Sequence, residues 1–138
     1  MTFLAAIALA LASVATPGSA PSVVVATGDW SQLPPLKRAG NADLSSTAMA
    51  RLFEIAQERK CKLPGQSMHQ LELRLSFAAQ FDPSGRLNQL VLPKLDCPEA
   101  EGIIAGAVLD MMRAGDYRPT GSNPDGWYRG DFAFGMRG

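Results

Sequence analysis

The sequence predicts an α+β domain: a three-stranded antiparallel sheet with two helices on one face, in the chain order α-β-β-α-β. Three observations carry that prediction. From Gln70 to Phe81 the odd positions are Leu71, Leu73, Leu75, Phe77, Ala79 and Phe81, while Gln70, Glu72, Arg74, Ser76, Ala78 and Gln80 are the even ones. That period of two marks a strand with one face buried and one face wet. Two other stretches repeat their apolar residues at helical spacing. A turn signature, Asp82-Pro83-Ser84-Gly85, separates the long strand from a second apolar run.

The first helix is expected to start at Ser45 or Ser46, both good N-caps. Met49, Leu52, Phe53 and Ala56 then form one stripe, with Arg51, Glu54, Glu58 and Arg59 off it. Lys60 and Lys62 suit the negative end of the helix dipole, and Leu63-Pro64-Gly65 stops the helix. After the long strand and its turn, Leu87 to Leu92 returns, so residues 70–92 read as an antiparallel hairpin. Asp96, Cys97 and Pro98 open the second helix, since proline at the first helical position forfeits no hydrogen bond. Ala100, Ile104, Ala107, Val108 and Met111 make its buried stripe, and Gly115 is placed just past its end. Tyr117-Arg118-Pro119 leads into a loop, and the last segment alternates again. Tyr128, Gly130, Phe132, Phe134 and Met136 share one face of that third strand; Trp127, Arg129, Asp131 and Ala133 share the other.

The remainder of the 138 residues precedes this domain. Residues 1–28 carry no charged side chain, and Phe3 to Ala15 is apolar except for Ser13. A bilayer needs about 20 apolar residues, so the run fits a secretory signal better than a membrane span. Residues 1–20 are accordingly read as the signal, with Gly18-Ser19-Ala20 at the cleavage site. Uncleaved, the same run would anchor the protein to the inner membrane. Residues 21–44 form a Pro-containing lead-in, with Val23-Val24-Val25 as a short strand and Leu33-Pro34-Pro35-Leu36 as extended chain. Trp30 and the leucines make it a segment that lies against the domain at 45–138.

Thirteen basic residues balance thirteen acidic ones. No basic stripe is available to neutralise phosphates, so nucleic acid is not an expected partner. Cys61 and Cys97 are the only cysteines. In an exported chain an even count reads as a disulfide, worth roughly 3–4 kcal/mol over a loop of this length. Two free thiols in a reducing compartment are the rival reading. Zinc is disfavoured, because two cysteines and the lone His69 do not complete four ligands. His69 sits at the mouth of the long strand, without a recognisable nucleophile partner. Asp125 and Asp131 lack calcium-loop spacing. Met111-Met112 reads as core, and Gly121-Ser122-Asn123 lacks the strand–nucleophile–helix context of a hydrolase elbow. The expectation is a protein that is not an enzyme, with no catalytic residue, metal or cofactor.

From Gly65-Gln66 to Met136 the sequence resembles the C-terminal domain of TonB-type energy transducers. The pieces that carry the resemblance are Leu71–Phe81, Asp82-Pro83-Ser84-Gly85, Leu87–Leu92, Pro98–Ala114, Tyr117-Arg118-Pro119, Gly126 and Trp127–Met136. The related TolA domain has a similar layout and one disulfide between the hairpin region and the second helix, which implies the Cys61–Cys97 pairing here. The family's Tyr-Pro step before the first helix is absent. So is its long spacer: residues 21–44 span only ~75 Å when fully extended at ~3.1 Å each. The resemblance implies a periplasmic module that captures an extended segment of an outer-membrane receptor or other envelope protein. Capture would be by strand addition beside the final strand, with Trp127, Tyr128, Arg129 and Asp131 as edge contacts. Self-pairing of that edge, giving a homodimer, and a membrane-anchored miniature transducer are the alternatives.

Overall fold

A computed structural model of the chain describes residues 20–39, 46–58, 61–67 and 70–137. The signal at 1–20 (but for Ala20), Ser45, Arg59, Lys60 and His69 lie outside the described residues. The elements are β1 (Ser22–Ala26), β2 (Lys37–Arg38), α1 (Ser46–Gln57), β3 (Gln70–Phe81), β4 (Leu87–Pro93), α2 (Pro98–Arg113), β5 (Tyr117–Arg118) and β6 (Trp127–Arg137).

The long strand organises everything else. Leu71, Leu73, Phe77 and Ala79 are wholly buried and Leu75 and Phe81 nearly so, whereas Glu72 and Arg74 are exposed. Its twelve residues are long enough to template both neighbours. β6 pairs with it antiparallel, from Gln70 opposite Arg137 to Gln80 opposite Trp127. β4 pairs on its other side, antiparallel, with a register shift between Gln80 and Phe81 next to the turn. Asp82 holds that turn closed: its carboxylate accepts from the Ser84 and Arg86 backbone N–H groups, both at 2.9 Å, and from the Ser84 hydroxyl at 2.6 Å.

The two helices share one core with the odd face of β3. Leu52, Ile55 and Ala56 of α1 and Ala100, Ile104, Val108 and Met111 of α2 are buried there, with Leu90 and Leu92 of β4. Ile55 was not part of the expected α1 stripe; the buried arc is wider, and Met49 and Phe53 lie half-buried at its border. Arg51 ties the helices on the outside by pairing with Glu54 and with Glu99. α2 ends in a Schellman motif. Asp116 N–H bonds the Met111 carbonyl at 3.0 Å and Gly115 N–H bonds that of Met112 at 3.1 Å, with Gly115 at φ 80°. Cys61 and Cys97 stand at disulfide distance, Cα atoms 5.8 Å apart, and join the segment after α1 to the start of α2.

The expected three-stranded antiparallel sheet is corrected in both number and direction. The sheet has four strands in the order β1-β4-β3-β6 and is mixed, and β2 and β5 make a separate two-stranded sheet. The added strand is β1, which runs parallel to β4 from Ser22 beside Gln89 to Ala26 beside Pro93. The reason is physical: the hairpin leaves β4 with an open outer ladder, and three β-branched valines are well suited to fill it.

From β1 the lead-in travels to the opposite edge. Gly28, Asp29, Trp30 and Ser31 border a groove of about 630 Å³ whose other wall is Arg74, Ser76, Arg129 and Asp131, all on the polar face of the sheet. Residues 27–33 therefore cross that face. Pro35 then bridges Arg129 in parallel, Leu36 enters the core, and β2 pairs with β5. The chain straps its own sheet.

Candidate functional site

The outer border of β6 is where the resemblance points, and its geometry starts with Gly130. This residue lies opposite Phe77, and a Cβ built there would stand 2.1 Å from the Phe77 ring. The glycine thus lets an aromatic ring occupy the space over β6, with Tyr117 packed edge-on at 5.4 Å and Phe132 at 6.2 Å. Tyr128 and Phe132 flank it on the same buried face. The face positions of the side chains from Trp127 to Ala133 follow from this packing and the ladder to β3, and hence so does the direction of the backbone groups.

Arg129 turns its N–H and C=O away from β3. The N–H donates to the Pro34 carbonyl at 2.9 Å, and the carbonyl accepts the Leu36 N–H at 2.8 Å. Its guanidinium reinforces the same attachment, donating to the Ser31 carbonyl at 3.0 Å and the Leu33 carbonyl at 3.4 Å, while Nε bonds Asp131 at 3.1 Å. Asp131 also accepts from the Ser76 hydroxyl. At the strap's other end the Asp29 carboxylate accepts the Ser31 N–H at 3.0 Å, which lowers its pKa below the usual carboxylate value.

Of the four positions singled out from the sequence, Tyr128 turns into the core and is 1% exposed. Trp127 gives its carbonyl to the Asn123 side-chain amide at 2.7 Å. Arg129 is held by the strap. The Asp131 carbonyl accepts the Tyr117 hydroxyl at 2.8 Å. The first part of the border is therefore occupied by the chain itself. Beyond it, the ladder's alternation turns the backbone groups of Ala133, Gly135 and Arg137 outward, and among the described residues no strand pairs there. The residues that shape this border but were not singled out are Ser31, Leu33, Pro34, Leu36 and Tyr117. Leu33-Pro34-Pro35-Leu36 was visible as extended chain, but nothing in it named a partner.

A second concavity lies at the opposite end, between the Asp82–Gly85 turn and the loop at 119–126, with Phe81 and Tyr128 in its wall. Burial disfavours the Tyr128 phenolate, but the Asn123 N–H donating to its oxygen at 3.2 Å and hydroxyls nearby outweigh that, so its pKa falls below the ordinary tyrosine value. These contacts tie the loop to β6, and neither a metal cluster of His, Cys, Asp and Glu nor a helix long and apolar enough to cross a membrane occurs among the described residues.

Fold and site together define an α+β domain with one sheet border strapped at its start and, among the described residues, unpaired further along. No protein-family model, no curated protein and no solved structure matches the chain.

Proposed function

We infer that this chain is an exported, non-catalytic binding module of TonB C-terminal type, working in the periplasm, which takes an extended segment of an envelope or outer-membrane transport protein by strand addition. The observation that carries this reading is the outer ladder of β6 from Ala133 to Arg137, which no strand among the described residues pairs, at the edge of a sheet with one face buried under two helices. A sheet edge of this kind supplies main-chain hydrogen bonds to any extended guest, and neighbouring side chains select among guests. The order of pieces supports the same reading: hairpin, helix, Tyr117-Arg118-Pro119, loop and aromatic final strand follow one another as the resemblance implies. The strap adds a constraint, because a guest reaching past Asp131 meets Pro34–Leu36 at Arg129.

The test is an NMR titration of labelled protein with a synthetic peptide from the extended periplasm-facing segment of an outer-membrane transporter. Amide shifts are expected at residues 131–137 and at the strap. Shifts confined to α1 and α2, or none at millimolar peptide, refute the reading.

A further inference from the structure

The opposite border of the sheet is unlike the β6 border in every respect that matters for association. β1 is its outermost strand, paired only with β4 among the described residues. Val23, Val24 and Val25 are 39%, 41% and 39% exposed, and they are the large hydrophobic side chains left exposed among the described residues. Register places Val23 and Val25 beside the buried Leu90 and Leu92, and Val24 beside Val91 on the other face. Apolar surface therefore runs off both faces of the sheet onto an edge that no other strand among the described residues covers. Natural edge strands are normally guarded by a lysine, a proline within the strand, a bulge or a covering segment. β6 has the strap and Arg129. Ser22–Ala26 contains no charge and no proline, and no segment among the described residues pairs along its outer side.

We propose that the β1 edge is a self-association surface on which a second copy of this chain pairs, β1 against β1 in antiparallel fashion across a two-fold axis, joining two four-stranded sheets into one. The occupant follows from charge and symmetry. A two-fold axis between two antiparallel copies of a strand sets the residue on the axis opposite its own symmetry mate, so a charge there faces itself. Ser22–Ala26 carries no charged side chain, which leaves this edge compatible with its own copy. Centred on Ser22–Ala26, the axis puts Val24 against Val24 and Val23 against Val25, with Cβ atoms about 5 Å apart. Cross-strand valine pairs then cover what is now exposed. Two five-residue strands bury less than the roughly 1,200 Å² of a standard stable interface, so the dimer forms at micromolar concentrations or above. This edge is separate from β6, so a dimer leaves the proposed peptide-binding ladder free.

Sedimentation equilibrium of the purified chain over 1–500 µM tests the proposal, alongside Val24→Lys, Val24→Glu and a mixture of those two variants, each checked for the native circular dichroism spectrum. The average mass of the native protein is expected to rise with concentration from one chain toward two. Each charged variant alone stays monomeric, because identical charges meet at the axis, and the equimolar mixture recovers association. A native protein that stays monomeric throughout overturns the proposal. So does a Val24→Lys variant that dimerises as the native protein does, or a mixture that fails to associate.

Discussion

Replacing Gly130 by alanine tests whether the β6 border is set by the ring packed over it. The new methyl would stand 2.1 Å from Phe77 Cζ and 2.6 Å from both Cε atoms, where about 3.5–4.0 Å is the comfortable separation. One partner must move by more than an ångström. Phe77 has little room to do so, being 0% exposed with the Tyr117 and Phe132 rings against it. Overpacking of this kind costs about 1–3 kcal/mol, and the confined ring argues for the upper end. Alanine recovers about 0.5–1 kcal/mol relative to glycine in a strand. The net expectation is a loss of about 2 kcal/mol. With a urea m-value of about 1.5 kcal/mol/M, the midpoint falls by roughly 1.3 M. Trp30 on the strap and Trp127 on β6 provide the fluorescence signal for the unfolding curve. Phe77→Leu alone should cost on the order of 1 kcal/mol, and the double variant should be much more stable than the sum of the two. Wild-type stability for Gly130→Ala, or strict additivity in the cycle, refutes the packing argument.

Three further outcomes are expected. Reduction of the Cys61–Cys97 pair, 36 residues apart, should lower stability by about 4 kcal/mol in the chain-entropy model, read as a midpoint shift with and without reductant; two reactive thiols in the unreduced protein contradict it. Arg129→Ala should loosen the strap by about 1.4 kcal/mol, since charge-assisted bonds to the Ser31 and Leu33 carbonyls are lost, and so speed exchange of the Leu36 amide about tenfold; unchanged exchange contradicts it. The Asp82 carboxyl is held below its ordinary pKa by the Ser84 hydroxyl and then by the Arg86 N–H. A folded-state pKa depressed below the unfolded one stabilises above the unfolded value, and that stabilisation is lost as pH falls through the folded value. Acid titration of stability should therefore be flatter in Asp82→Asn than in the native protein as pH falls through the carboxylate range, and identical profiles contradict it.

How much of this could be read from residue types depends on which groups make each contact. β3 was legible because its contacts are made by side chains: alternation from Leu71 to Phe81 is the burial pattern itself, with only Ala78 buried out of turn. α2 was legible for the same reason: Ala100, Ile104, Val108 and Met111 are buried as their spacing indicates, while Ala107 of the same stripe is half-buried. The partner of β1 was not. Val23, Val24 and Val25 show no alternation, so they mark a strand without saying which edge it joins or in which direction. The strap is still less visible, because main-chain groups make it: Pro34 contributes a carbonyl and Leu36 an amide, and every residue type carries a carbonyl. The same limit applies at the candidate site. Trp127 and Tyr128 looked like contacts because aromatics dominate interfaces, yet Tyr128 is needed under the sheet, where it packs on Phe81 at 6.1 Å.

The strap also sets what strand addition at β6 can supply energetically. A guest confined to Asp131–Arg137 finds the outward N–H and C=O groups of Ala133, Gly135 and Arg137 and the N–H of Asp131, whose carbonyl is already bonded to Tyr117. At about 0.5–1.5 kcal/mol net for each hydrogen bond, that ladder contributes about 4–10 kcal/mol. Fixing a guest backbone of matching length costs about 1–2 kcal/mol per residue, or about 7–14 kcal/mol. At the centre of both ranges main-chain pairing alone therefore falls short of holding an unstructured guest. Binding requires either side-chain contacts along the polar face near Arg74 and Asp131, or a longer ladder obtained by displacing Pro34–Leu36. The two routes separate in Arg129→Ala: if the guest displaces the strap, the variant binds the peptide about tenfold more tightly, because the strap is easier to release. If side chains hold the guest, affinity does not rise, even where exchange at Leu36 shows the strap loosened.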